Sequence, residues 1–343
     1  MAITIKDIAR EAGVSTATVS KVINHVSTIS DATAERINHI MKELNYHPNL
    51  RAQNFARKST HNIVFITNLE RNSAFKNPHM FEIMSGLQST LMAKNYNLSI
   101  LSVNPENQLD MIDQIIAEKS VDGMVIHVSV VTKEMSLHIL KANFPHIIIG
   151  CPNFESQLCW IDNNNYLSGE IAANHLLEQG YKKVSYVGGR ENDLISTHRL
   201  QGAITALTDK KIEIKENYIE RGESTRQEGY KMMQNILSQN PLPDSVICAN
   251  NPLALGVYKS IEEHHLKIPR EIGVITFDDY PFSQITDPMM TVVNIDVYDV
   301  GVQAGKLILS KIKRPNLQVQ SYTTLPNLIV RKSTGSMGFI KGM

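Results

Sequence analysis

Residues 4–24, TIKDIAREAGVSTATVSKVIN, leave this chain few choices. Thr4 and Asp7 have the spacing of a helix capping box, and Ile5, Ile8, Ala9 and Ala12 then fall on one helical face. Gly13 stops that helix, and Ser15 can cap a second whose apolar residues Val19, Val22 and Ile23 share a face. Two short helices meeting across a turn that contains Gly form a helix-turn-helix, although a helical hairpin from any α-rich domain follows the same pattern. The outward face of the second helix carries Thr16, Ala17, Ser20, Lys21 and Asn24. These side chains are small or can donate and accept hydrogen bonds, so the face can enter a major groove.

The following residues strengthen that reading. Ser30 or Asp31 starts a third helix with Ile37, Ile40, Met41 and Leu44 on one face, which closes a small three-helix core before Pro48 ends the run. Then comes NLRAQNFARKST, residues 49–60, helix-compatible and basic around Phe55. A helix this short is marginal in water by itself, because nucleation is costly and few hydrogen bonds repay it, so it needs a partner. The formal net charge of the whole chain is zero, which taken alone argues against a nucleic-acid binder. Its distribution argues otherwise: residues 1–60 hold eight Lys or Arg against five Asp or Glu, net +3, and the remainder 26 against 29, net −3.

From Asn62 the pattern changes to short apolar runs alternating with amphipathic helices. Strands are expected at IVFITN from 63, LSILSV from 98, GMVIHV from 123, HIIIGC from 146, KVSYVGG from 183, SVICAN from 245 and GVITFD from 273. Near-continuous Val/Ile runs are the mark of buried parallel strands. The length of this alternation exceeds one open sheet and predicts two doubly wound α/β subdomains, with ligand held where loops and helix N-termini converge at the carboxyl ends of the strands.

TIKDIAREAGVSTATVSKVIN, the ELNYHPN that follows and the segment NLRAQNFARKST closely resemble the amino-terminal part of lactose-repressor/galactose-repressor family transcription regulators. The resemblance runs through VDGMVI at 121–126, WIDNNNYLSGEIAANHLLEQGYKKVSYVGG at 160–189, ITFDDYPFSQITDPMMTVV at 275–293 and LPNLIVRKST at 325–334, and maltose-operon regulators look most similar. It implies an all-α DNA-binding domain over 1–48, a hinge helix and linker over 49–61, and a periplasmic-binding-protein-like ligand-binding and dimerisation domain over 62–336. In the last, the amino-terminal subdomain would take about 62–161 and 290–320, and the carboxyl-terminal subdomain 162–289 and 321–336. The chain would cross between them near 161, 290 and 321.

By the same resemblance, a homodimer binds double-stranded operator DNA and answers to a small-molecule effector, a sugar of the maltose or α-glucoside type. A corepressor of another kind, such as a phosphosugar, would work through the same parts. Thr16, Ala17 and Lys21 would read bases; Ser15, Thr18, Asn24 and Asn49 would mostly position the backbone; Ser20 belongs to the same DNA-binding surface, and Ala52 and Phe55 to the hinge. Phe55 stands where relatives carry the Leu that wedges into the minor groove, a task an aromatic ring can also perform. For the effector, Arg199 in STHRLQG and Asp278 match ligand-contacting positions, and a guanidinium beside a carboxylate can grip vicinal hydroxyls. Asp279 is expected to cap the next helix. Asn250 and Asp162 match further lining positions, Asp162 otherwise making a hinge-strand hydrogen bond. His79 and Met80 would form the amino-terminal wall, and Trp160 either stacks on a sugar face or belongs to the core. Asn251 and Gly150 depart from residues common in relatives.

The sequence carries no GxGxxG, GxxxxGK[ST], GxSxG or HExxH motif, so no catalytic residues are assigned and no cofactor is expected. Cys151, Cys159 and Cys248 form no CxxC or Cys/His cluster, which argues against a zinc site or disulfide frame. No apolar run precedes the first helix and none is long enough to span a membrane, so a cytoplasmic protein is expected. A sugar-binding transport component matches the large domain but not the helix-turn-helix. The carboxyl-terminal KSTGSMGFIKGM has no Leu heptad for a tetramer.

Exchanging Ala17 is expected to alter sequence preference by about 1–3 kcal/mol at one base pair, while exchanging Asn24 weakens all sites alike. Gel shifts over a base-substituted operator series check this; an Ala17 variant with the parent's preference refutes the assignment.

Overall fold

The computed structural model of the protein describes residues 3–24, 28–46, 59–69, 78–317, 319 and 321–335. Asn49, Ala52, Phe55 and the carboxyl-terminal segment from 336 lie outside the described residues. Three helices open the chain: α1 (Ile5–Glu11), α2 (Thr16–Ile23) and α3 (Asp31–Glu43). At the start of α1, the Thr4 N–H and Oγ1 donate to Asp7 Oδ2 at 3.0 and 2.7 Å. At its end Gly13 turns to φ +61, a conformation costly for residues with a Cβ, and lets Val14 N–H reach the Ala9 carbonyl at 3.0 Å. Ser15 Oγ accepts from Thr18 N–H at 3.1 Å and starts α2. Ile8, Ala9, Val19, Val22 and Ile37 then pack as one small core.

The remainder forms two six-stranded sheets. The first has the order β11-β5-β4-β3-β1-β2, all parallel, with β1 (Asn62–Thr67), β2 (Asn97–Ser102), β3 (Gly123–His127), β4 (His146–Ile149), β5 (Trp160–Asn163) and β11 (Ser321–Thr324). The second has the order β12-β10-β9-β8-β6-β7, with β6 (Val184–Gly189), β7 (Ile219–Gly222), β8 (Ser245–Cys248), β9 (Gly273–Phe277), β10 (Thr291–Asn294) and β12 (Asn327–Ile329). Only its β10–β12 pair is antiparallel. Val64, Phe65 and Ile66, and likewise Val246 and Ile247, are fully or almost fully buried, as both faces of a helix-covered parallel sheet require.

The chain crosses between the sheets three times. The first crossing follows β5 at Asn163. The second falls between Asn294 and Val297 rather than near 290, because β10 completes its ladder with β9 before the chain leaves. The third falls between Thr324 and Asn327 rather than near 321, because Ser321–Thr324 first pairs with β5. Five strands, β5, β7, β10, β11 and β12, were not among the seven apolar runs, being short and in part polar.

Helices pack in close pairs on these sheets. The helices α4 (Pro78–Met92), α5 (Gln108–Glu118) and α6 (Lys133–Lys141) follow β1, β2 and β3. Next come α7 (Asn165–Glu178), α8 (Leu194–Asp209), α9 (Arg226–Leu237), α10 (Asn251–Glu263), α11 (Pro281–Gln284) and α12 (Val297–Lys313). Where α7 crosses α8, a Cβ on Gly169 would strike the Arg199 carbonyl and one on Gly202 the Tyr166 carbonyl, so the two backbones touch. The pair α4 and α12 uses Gly86 and Gly301 in the same way. At the entry to the first sheet, the Asp122 carboxylate accepts from Ser59 Oγ, from Thr60 N–H at 2.7 Å, from Thr60 Oγ1 at 2.9 Å and from His61 N–H at 3.0 Å. No helix among the described residues is long and apolar enough to cross a membrane.

Gly202→Ala is expected to force α7 and α8 apart, with a loss at the upper end of about 1–3 kcal/mol from overpacking. A urea unfolding curve of the variant checks it, and an unchanged midpoint contradicts the close backbone contact.

Candidate effector cavity and DNA-binding surface

The carboxyl ends of both sheets converge on a cavity of about 360 Å³. Among its buried polar residues is Arg199 on α8, only 4 % exposed. The guanidinium is held on three sides: Nε donates to Asn165 Oδ1 at 3.1 Å, Nη1 to the Ala249 carbonyl at 2.6 Å, and Nη2 lies 3.6 Å from Asp278 Oδ1. Its carbon sits 4.2 Å above the centre of the Phe277 ring. A buried guanidinium must be paired, and here it is paired by one residue each from α7, β8 and β9.

Asp278 follows β9 at φ +71, in the left-handed region that costs an L-residue about 1 kcal/mol. The Val293 carbonyl holds its N–H at 3.0 Å and Asn251 Nδ2 donates to its carbonyl at 2.9 Å, so the turn is fixed from outside. That turn aims the carboxylate into the cleft. Burial opposes its charge, but Arg199 and His79 outweigh burial and hold its pKa below the ordinary 3.8. From the opposite subdomain, His79 on α4 brings Nε2 to 3.4 Å from Asp278 Oδ2 and stands edge-on to Tyr280 at 4.6 Å. Asp162, at the first crossing, accepts Cys151 N–H at 2.9 Å and Asn163 N–H at 2.7 Å; burial raises its pKa all the same. His127, pushed down to about 4 by burial and by His79, is neutral at pH 7 and bonds Ser129 Oγ at 2.7 Å through Nδ1. Asn250 lines the cavity while capping α10, its Oδ1 accepting from Leu253 N–H at 3.1 Å.

In the amino-terminal domain, Thr16, Ala17 and Lys21 are exposed on α2 while Thr18, Ser20 and Asn24 are half-buried. Ser15 Oγ and Thr18 Oγ1 bond each other at 2.9 Å, and Asn24 Nδ2 donates to the Ser20 carbonyl at 2.8 Å. The free ends of the face are therefore the three residues read as base contacts.

Residues 4–49 match the model of bacterial regulatory proteins of the lacI family, and residues 173–334 that of a periplasmic binding protein-like domain. Over 97 % of its length the chain is 30 % identical to the HTH-type transcriptional repressor PurR of Histophilus somni strain 2336, covering 99 % of that protein. The chain belongs to the lacI family. Among solved structures, the lac repressor dimer bound to operator and the anti-inducer ONPF superposes with a TM-score of 0.82 at 22 % identity, covering 98 % of this chain and 100 % of that one. The transcriptional regulator CelR in its cellobiose complex gives 0.72 at 23 % identity, covering 96 % and 99 %. These likenesses show the fold. This lacI-family chain is a DNA-binding transcriptional regulator, not an enzyme.

In this family member, His79, Asp162, Arg199, Asn250 and Asp278 meet in one cavity. Two residues expected there do not. Met80 is 7 % exposed and packs into the core with Phe65 and Ile83, accepting from Thr67 Oγ1 at 3.6 Å, because its neighbour His79 takes the cleft-facing position of α4. Trp160 leans on the core around Ile148 and Leu158, since it opens β5 while Asp162 lies two residues further towards the cleft end of the strand. Asp279 does not cap α11. Tyr280 occupies the cap position, and Asp279 instead bonds Ser283 Oγ at 3.0 Å and Arg331 at 2.7 Å. Sequence reasoning missed Tyr280, Asp193 and His127 as lining residues, and treated Asn251 only as a departure. Its Nδ2 donates to the Phe277 carbonyl at 2.7 Å and to that of Asp278, which a carboxylate could not do.

Asp278→Asn leaves Arg199 buried without its counter-charge and is expected to cost about 3 kcal/mol at pH 7. Because the folded pKa is depressed, the wild-type contribution is present above the unfolded value and lost as pH falls through the folded one. The gap between the two urea midpoints therefore persists at pH 4 and closes only below 3.8; a pH-independent gap contradicts the pairing.

Proposed function

We propose that this regulator is a homodimeric repressor of carbohydrate-utilisation genes, released from a pseudo-palindromic operator by a neutral sugar, with maltose and related α-glucosides favoured. One observation carries the effector class: Asn251 Oδ1 and Tyr280 OH are buried polar atoms of cavity-lining residues with no hydrogen-bond partner among the described residues, and Asp278 Oδ1 has only the Arg199 ion pair at 3.6 Å. Each such orphan costs about 1–3 kcal/mol, so a ligand that supplies both donors and acceptors recovers that cost. Hydroxyl groups do both. Burial, and Asp278 close by, raise the pKa of Tyr280 and keep its hydroxyl a donor.

Charge supports a neutral ligand over a phosphosugar. Asp162, Asp193 and Asp278 line the cavity, whereas among the described lining residues Arg199 is the only Arg or Lys and is already engaged. The walls around them, Ile83, Phe282 and Val297 among others, offer apolar surface for a ring face. The CelR complex with cellobiose agrees with this class of ligand.

On DNA, two α2 helices would enter successive major grooves about 34–36 Å apart, as the operator-bound lac repressor dimer suggests. The segment 49–58 would form paired hinge helices only there, with Phe55 wedged in the minor groove. His79 and Asp278 now meet directly across the cleft. A sugar inserted between them, gripped by Arg199 and Asp278 on one side and His79 on the other, binds one cleft angle better and shifts the equilibrium by that difference in affinity. For an inducer, that angle separates the hinges.

In an operator gel shift, a neutral glucoside is expected to weaken binding about 5–150-fold, and Arg199→Ala to abolish the response. The panel holds maltose, cellobiose, glucose, phosphosugars and nucleobases. Tighter binding with a phosphosugar alone would replace the scheme with corepression; a maltose response that survives Arg199→Ala would move the site.

A further inference from the structure

Among the described residues Asp278 has two cationic neighbours, and they differ in where they come from and in what holds their charge. Arg199 approaches Oδ1 from the same subdomain, at 3.6 Å, and is almost fully buried. His79 approaches Oδ2 from the opposite subdomain, on α4, at 3.4 Å, with its side chain 33 % exposed and so open to exchange of protons with solvent. A guanidinium keeps its charge throughout the physiological range, whereas an imidazole changes charge between pH 5 and 8. The contact that spans the cleft is therefore the one whose strength a proton decides.

The groups around His79 leave that decision to this pair. From the end of β3 comes His127, which burial and then His79 push down to about 4, so it is already neutral over that range. From the turn after β9 comes Tyr280, edge-on at 4.6 Å, kept protonated by burial and by Asp278. Arg199 is tied to Asn165 and Ala249, and His198 on α8 acts on Asp162 instead. On α4 itself, the Glu82 charge bears on Tyr280. On α12, packed along α4, Asp296 Oδ1 accepts from Asp299 N–H at 3.0 Å and Asp299 from Gln303 Nε2 at 2.9 Å, while the residues that line the cavity, Val297 and Val300, carry no charge.

We propose that His79 and Asp278 form a proton-operated latch: protonated His79 draws the two subdomains to the cleft angle seen here, and its deprotonation releases them, which makes the hydrogen ion an effector in its own right. Pairing favours the bound proton, so by linkage the contact angle gains as pH falls towards 5.5 and loses as pH rises to 8. A ligand that parts the two residues must displace the pair and meets more resistance in acid. Under the switching scheme proposed above, the contact angle is the one that binds operator, and acid then tightens repression. That last step rests on the scheme; the latch itself does not.

Urea unfolding of the full-length protein, His79→Gln, Asp278→Asn and the double variant at pH 5.5 and pH 8 measures the coupling between the two side chains. Gln keeps a donor and loses the change of charge. A coupling of about two- to fivefold in the unfolding constant is expected at pH 5.5 and almost none at pH 8. No coupling at either pH, or the same coupling at both, overturns the latch. If Asp278→Asn does not fold, the midpoint gap between wild type and His79→Gln carries the test alone: a gap larger at pH 5.5 supports the latch, and a pH-independent gap overturns it. Operator gel shifts without added ligand then test the reach to DNA, the ratio of wild-type to His79→Gln affinity being expected to rise about two- to fivefold from pH 8 to pH 5.5. An unmoved ratio beside a pH-dependent coupling overturns the link between this cleft angle and the operator, and the switching scheme with it, while the latch stands.

Discussion

Burying a guanidinium is the constraint on which the effector domain is arranged. Arg199 cannot be left in an apolar interior alone, so the ends of α7, β8 and β9 must each deliver an acceptor to it: the amide of Asn165, the carbonyl of Ala249 and the carboxylate of Asp278. Each acceptor needs support in turn. The Gly169–Gly202 crossing brings α7 against α8 closely enough for Asn165 to reach Arg199, and the left-handed turn at Asp278 is held by Asn251 and Val293. The cavity is thus the place where several stabilising arrangements of the carboxyl-terminal subdomain meet. Buried polar atoms of its lining residues Asn251 and Tyr280 have no hydrogen-bond partner among the described residues.

That division of labour makes the cleft asymmetric. The carboxyl-terminal half presents a charged floor in which Asn165, Ala249 and Asp278 hold Arg199. The amino-terminal half contributes His79, which meets Asp278, and the neutral His127, which bonds Ser129. A ligand that binds the floor first and is then met by the lid has an obvious way to favour one domain angle, and the energy of that choice comes from the amino-terminal contacts alone.

Much of this was legible in the residues. Caps gave the starts of α1 to α3 nearly to the residue, since Thr4, Ser15 and Ser30 act locally and need no tertiary context. The buried parallel strands were legible because burial on both faces writes an unbroken Val/Ile run. The strands that escaped notice, such as Trp160–Asn163 and Ser321–Thr324, join edges or crossings, where polar residues are tolerated and the pattern fades. Periodicity also fails to say which of two neighbours faces a cleft: His79 and Met80 are adjacent, and the α4 helix turns one inward to the core and the other outward. Asn251 and Tyr280 were hidden for another reason, since their importance lies in atoms left without a partner, a property of the assembled site.

The carboxylate of Asp122 gathers Ser59, Thr60 and His61 at the threshold of the first sheet. Seen mechanically, this is a joint without backlash. A tether that could slide or swivel at that point would absorb small rotations of the amino-terminal subdomain before they reached the residues upstream. Pinned through several bonds to one side chain on the loop entering β3, the chain at residue 59 must travel with the sheet, so even a slight change of cleft angle is displaced in full to the point where the DNA-reading part of the molecule is attached.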